Sequence, residues 1–104
     1  MFDEDKVREE ILRRTAEAEL LTGHSFYGLR KAIRDDGAIA TARRLIDPKG
    51  DTKFQMGMRE LKKAGLLRLS VEQIIVDFGE RGEIFSVDEV EAAKERLAMA
   101  ELVL

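Results

Sequence analysis

Gly65-Leu66-Leu67-Arg68-Leu69-Ser70-Val71-Glu72-Gln73 and Gly82-Glu83-Ile84-Phe85-Ser86-Val87-Asp88-Glu89 carry the same instruction twice. Each stops one element at a glycine, crosses a short apolar link and starts a helix at a serine. In both, the serine oxygen can accept from the N3 amide while Gln73 or Glu89 reaches back to the serine N–H, which is a capping box. Leu69 with Ile74, and Phe85 with Val90, occupy the N′ and N4 positions of a hydrophobic staple. These residues specify two helix starts and therefore an α-helical C-terminal half.

Working outward, apolar residues recur at helical spacing almost everywhere. A first helix runs from Asp3 or Glu4 to Leu21, with Val7, Ile11, Ala18 and Leu21 on one face and Thr22-Gly23-His24 ending it. Ser25 is placed to cap a second helix, whose Phe26, Leu29 and Ile33 form a stripe that stops at Asp35-Asp36-Gly37. A third helix starts near Gly37 and turns Ile39, Ala42 and Ile46 inward. Asp47-Pro48-Lys49-Gly50-Asp51 is the clearest loop, because proline and glycine both interrupt it. Thr52-Lys53-Phe54-Gln55 is a third capping box, opening a fourth helix with Phe54, Met58 and Leu61 toward the core and Gly65 just past its end. Val71, Ile74, Ile75 and Phe78 give the fifth helix a buried face; Val90, Ala93, Leu97, Ala100 and Leu104 do so for the sixth.

The expected fold is all-α, a compact irregular bundle of five or six helices in a single domain over residues 1–104. One addition stays open: Leu67-Arg68-Leu69 and Glu83-Ile84-Phe85 look extended and are similarly placed, so residues 67–69 and 83–85 can be drawn as a miniature two-stranded ladder. A length of 104 residues and only one proline suit long helices joined by short turns.

Composition excludes several chemistries. With no cysteine there are no disulfides, thiolate nucleophiles or zinc-thiolate sites. The single histidine, His24, adjoins Ser25, but adjacency in sequence does not orient a base toward a nucleophile, so a loop position is expected. One histidine and no His-x-x-x-His spacing leave no transition-metal site to argue. Asp47 to Asp51 fails as a calcium loop, since Lys49 occupies a ligand position and Met58 stands where a bidentate glutamate belongs. Neither glycine-rich phosphate-binding motif is present. Asp88 and Glu89 lie in a first helical turn, where the macrodipole favours negative charge and explains them. No cofactor, no metal and no catalytic residue is therefore assigned. No apolar run approaches the ~18–20 residues of a membrane span, and the start Met1-Phe2-Asp3-Glu4-Asp5 is acidic, so a cytoplasmic location without membrane contact is expected.

The net charge of −3 conceals a segregation. Residues 1–29 sum to −3, residues 30–68 to +6 and residues 69–104 to −6. Either these segments lie side by side and neutralise one another, or the basic middle faces an anionic partner. Tyr27, Lys31 and Arg34 share one side of the second helix, and Arg43 and Arg44 could extend that surface as a nucleic-acid or anionic-partner face. A pI near 5.3 and a third-to-fourth helix connection too long for a helix-turn-helix argue for weak binding at most. The C-terminus is unusually apolar. Met99, Leu102 and Val103 cannot all join the core stripe, so either the first helix wraps the last turn or these three form a protein-contact patch.

The string Gly37-x-x-x-Thr41-Ala42-x-x-Leu45-Ile46, Phe54, Leu61, Gly65-x-Leu67-x-Leu69-Ser70-Val71-Glu72, and Phe85-x-x-x-Glu89-x-x-x-Ala93-x-x-Arg96-Leu97 resembles a small helical module of bacteria and phages. It covers about residues 26–97 and leaves the acidic first helix outside. The resemblance implies a module that occurs alone or as a tail on larger proteins, some connected with restriction or mobile elements. It brings no binding or catalytic residue with it. The expected function is a non-enzymatic accessory or adaptor module acting through a protein partner or as a homodimer; weak nucleic-acid binding through the basic face is the alternative.

Overall fold

The computed structural model describes residues 2–47 and 55–103, and the regular secondary structure among them is helical. Six α-helices follow in order: α1 (Asp3–Thr22), α2 (Tyr27–Asp36), α3 (Ala38–Ile46), α4 (Gln55–Lys63), α5 (Val71–Glu80) and α6 (Val87–Val103), with a 3-10 turn at Leu67–Leu69 before α5. The capping box at Thr52 to Gln55, the core position of Phe54 and that of Leu104 lie outside the described residues.

The α5–α6 hairpin is the centre of the bundle. Its register is fixed at both ends: Glu72 at the start of α5 meets Arg96 late in α6, and Gly79 near the end of α5 meets Val90 early in α6. Val7 and Ile11 of α1, Ala38, Ala42, Leu45 and Ile46 of α3, and the inner faces of α5 and α6 close the main cluster around it. A smaller cluster of Ala18, Phe26, Leu61, Leu66 and Leu69 joins the second half of α1 to α4 and the 3-10 turn. Phe85 and Val90 share the main cluster, as a staple requires, whereas Leu69 packs in the smaller cluster and Ile74 in the main one.

The two serine starts differ in a way the backbone explains. At Ser86 the box is complete: the Ser86 N–H donates to Glu89 Oε1 at 2.9 Å and the Glu89 N–H to Ser86 Oγ at 3.2 Å. At Ser70 only half of it forms. Ser70 Oγ accepts from the Gln73 N–H at 3.1 Å, but the Ser70 N–H already donates to the Leu67 carbonyl, so the Gln73 amide turns to Asp77 instead.

The same local bonding removes the ladder. Residues 67–69 are a 3-10 turn, with Leu69 and Ser70 N–H groups donating to Leu66 and Leu67. In the other link the Phe85 N–H donates to the Glu83 carbonyl at 2.6 Å around Ile84, whose φ is +65°. That is a γ-turn of the strained hand, centred on a β-branched residue. Each link closes on itself as a turn, and no strand occurs among the described residues.

Two expected details are corrected. Leu21 is exposed, because the buried side of α1 ends at Ala18. Ser25 does not cap α2; the helix begins after Phe26 with no side-chain cap, and the Phe26 N–H donates to the carboxylate of Glu19. α3 is likewise capped from a distance. Its first amides, Ala38 and Ile39, donate to the two oxygens of Glu4 at 2.6 and 3.0 Å, from 34 and 35 residues away.

One core group is mismatched to its surroundings. Thr41 is fully buried in α3, and its Oγ1 has no hydrogen-bond partner among the described residues. Leaving a buried hydroxyl unpaired costs about 1–3 kcal/mol, and valine has nearly the same shape without that cost. Thr41→Val is therefore expected to raise the urea midpoint, gaining about 1 kcal/mol; an equal or lower midpoint would show that the hydroxyl is satisfied in solution.

Candidate functional site

α2 stands away from the hairpin and leaves a groove between itself and α1, α3, α4 and the start of α5. Its volume is about 570 Å³, within the range of roughly 300–1,000 Å³ that holds ligands or anchoring side chains. Ala18, Leu29, Leu45, Met58, Leu61 and Val71 supply apolar walls, and the floor carries Thr15, Ser70 and Glu72. Glu72 is only 4% exposed, and Arg96 Nε donates to its carboxylate at 2.9 Å.

The rim contains three of the five residues of the expected basic face. Tyr27, Lys31 and Arg44 border the groove; Arg34 and Arg43 are not among its lining residues. Tyr27 is exposed. The four cations each meet a carboxylate of their own chain. Lys31 Nζ donates to Asp35 at 2.7 Å, and Arg34 Nε approaches the same carboxylate at 3.4 Å. Lys31 thereby holds the Asp35 carboxyl below its usual range, while the Lys31 ammonium is pushed up by the same bond. Arg44 donates to Asp36 at 3.0 Å.

Arg43 points elsewhere, toward α6. It donates to Glu89 at 2.8 Å and to the Ile84 carbonyl at 3.4 Å, with its guanidinium 5.9 Å from the centre of the Phe85 ring. Burial raises the Glu89 carboxyl, but the Ser86 N–H and Arg43 outweigh it and hold the group below its ordinary value. Arg43 thus steadies the strained link before α6. On α3, neighbouring arginines pair with different helices, Arg43 with α6 and Arg44 with α2, and the segregated charges of the sequence meet across helix contacts.

The N-terminal end of the groove is tied by Glu19. Besides the Phe26 N–H at 3.0 Å, this carboxylate accepts from Arg30 Nε and Nη2, the latter at 2.6 Å. Arg30 lowers the Glu19 carboxyl most, against burial, with smaller help from the Phe26 N–H and His24. His24 lies on this linker and meets the Phe26 ring edge-on at 4.9 Å between centres. Neither sequence neighbour of this clasp advertises it, because the Glu19 partners lie 7 and 11 residues away and across a turn.

The C-terminal patch is a separate surface. Met99 is 58% and Leu102 83% exposed, while Ala100 between them is buried. The neighbour at this end is α4, whose Lys62 Nζ donates to the Glu101 carbonyl. The side chain of Val103 lies outside the described residues. Among the described residues no group of three or more histidines and carboxylates converges as a metal site, and no helix is long and apolar enough to cross a membrane.

Comparison with protein-family models, with curated proteins and with solved structures finds no match to this chain.

Proposed function

We propose that the chain is a non-enzymatic accessory or adaptor module of the cytoplasm that acts through contacts with a partner protein, using the groove along α2 as the principal surface and the Met99–Leu102 patch as a second one. The observation that supports this is the apolar-walled groove with an exposed tyrosine on its rim. Anchoring contacts concentrate where an aromatic or aliphatic side chain enters a desolvated pocket, and tyrosine is over-represented at such positions. The resemblance to a small helical module found alone or as a tail on larger proteins points the same way. The cations of the middle segment weigh less, because each of Lys31, Arg34, Arg43 and Arg44 already faces a carboxylate.

Capture of proteins from the native cell with the intact chain, Met58→Glu, Tyr27→Ala and Leu102→Glu tests the reading. A partner held by the intact chain and by Leu102→Glu, but lost with Met58→Glu and at least tenfold weaker with Tyr27→Ala, identifies the groove as the surface; an anchor of this kind is worth about 2 kcal/mol or more. A chain that captures nothing and sediments as a monomer sinks it. Weak nucleic-acid binding is the competing proposal, favoured by the exposed Tyr27 one helical turn from Lys31. It demands affinity that falls steeply with salt and drops on Lys31→Ala/Arg34→Ala.

A further inference from the structure

α2 buries little of its own length. Of its ten residues only Ile33 is fully buried, whereas α5, also of ten residues, buries six. It is bracketed by Gly23 at φ +74° and Gly37 at φ +94°, with the non-helical residues 23–26 leading into it. Beyond Gly37 the chain is pinned, since the Ala38 and Ile39 amides are fastened to Glu4. At its other end the Glu19 carboxylate holds both the Phe26 N–H and Arg30, beside the partly buried Leu29, which packs against both core clusters. Phe26 itself fills the smaller cluster beside α4, with Gly57 leaving room for its ring.

We propose that α2 is a hinged strap over the groove, pivoting at Gly37 and latched at its N-terminal end by the Glu19 clasp on Phe26 and Arg30. Released, the strap carries Phe26 and Leu29 away from Ala18, Leu61 and Leu69 and converts the groove into an open apolar face. Closed, as in this structure, it narrows that face to the groove. Asp36 with Arg44 lies beside the pivot and moves least. The physical basis is that local opening costs least where few apolar side chains are buried, and within α2 itself only Ile33 is fully buried. The device acts on the groove of the adaptor reading but is read from how α2 is attached, so its failure leaves that reading intact.

Hydrogen exchange of the full chain at constant pH tests it, resolved by residue. In the intact protein the helical amides of Arg30 to Asp36 are expected to exchange at least about tenfold faster than those at Ile75 and Ala93, as sub-global opening predicts. Glu19→Gln should speed the α2 amides about tenfold more and leave α5 and α6 within a factor of about two. Arg30→Met attacks the latch from the other side and should give the same selective pattern, so a poorly folded Glu19 variant does not decide the matter. Equal protection of α2 and α5 in the intact chain would overturn the strap, as would variants that speed every helix alike.

Discussion

Gly79→Ala is expected to lower the midpoint of thermal unfolding by roughly 8–16 °C, a loss of about 2 kcal/mol in a domain of this size. On propensity alone the change should help, since alanine is better than glycine inside a helix by about 1 kcal/mol. Packing reverses the sign. A Cβ on residue 79 would sit 2.0 Å from Val90 Cγ2, far inside the roughly 3.5–4.0 Å of an ordinary carbon contact. Val90 is β-branched, buried and in α6, where essentially one χ1 rotamer is available to it, so it cannot swing aside cheaply. The remaining escape is to separate α5 from α6 and loosen the centre of the bundle. Val90→Ala should restore much of the loss in the Gly79→Ala background while destabilising the parent, a coupling of about 1–2 kcal/mol in a double-mutant cycle. Additive losses would mean that the helices do not touch at this point.

The second large effect concerns the pair beneath the groove. Arg96→Met is expected to cost about 2–3 kcal/mol by urea unfolding at neutral pH, because it leaves the Glu72 carboxylate buried with its cation removed. Glu72→Met should cost distinctly less. The asymmetry follows from access to water: the side chain of Glu72 is 6% exposed and that of Arg96 is 28% exposed, so an abandoned arginine can extend its head to solvent while an abandoned glutamate cannot. Glu72 also occupies the first turn of α5, where the helix dipole favours its charge. The double change to methionine should recover most of the Arg96→Met loss, since apolar groups of similar size often replace a buried pair without penalty. If Arg96→Met proves as mild as Glu72→Met, the pair is solvated and the floor of the groove is wetter than its geometry indicates.

Both results turn on partners distant in sequence, and that marks what could be read from the chain. The starts of α5 and α6 were legible because capping and helical periodicity act within a few residues, and Ser86 with Glu89 forms as such rules require. Where local rules were extended to side-chain partners, competition decided. The N-cap of α2 falls one residue past Ser25, at Phe26, whose own N–H is taken by Glu19, and the Gln73 arm found its target N–H already taken. The extended-looking links became turns because each could bond within itself. Leu21 kept the helical phase of Val7 and Ile11 but outran the neighbours that would cover it. As for the candidate site, Tyr27, Lys31 and Arg44 were visible as residues, while the groove beside them is made by four other elements and carries no sequence signal. Gly79 reads in the sequence as part of a Gly79-Glu80-Arg81-Gly82 turn, whereas α5 runs on through it to Glu80 and its lack of a side chain admits Val90.

α1 has a role that its charged sequence obscures. Glu4 fastens the start of α3, Arg14 donates to Asp77 of α5 at 2.7 Å and to the Arg68 carbonyl at 2.9 Å, and Glu19 fastens α2. At a rise of ~1.5 Å per residue, Glu4 and Glu19 stand roughly 22 Å apart along a single rod. The first helix is thus a ruler, setting by its own pitch the spacing between the points at which it clamps the other elements. Each residue turns the rod by about 100°, so one residue gained or lost between Glu4 and Glu19 would swing one set of clamps off its targets even if every apolar side chain were kept. Substitution can be absorbed along much of this helix; a change in its length cannot.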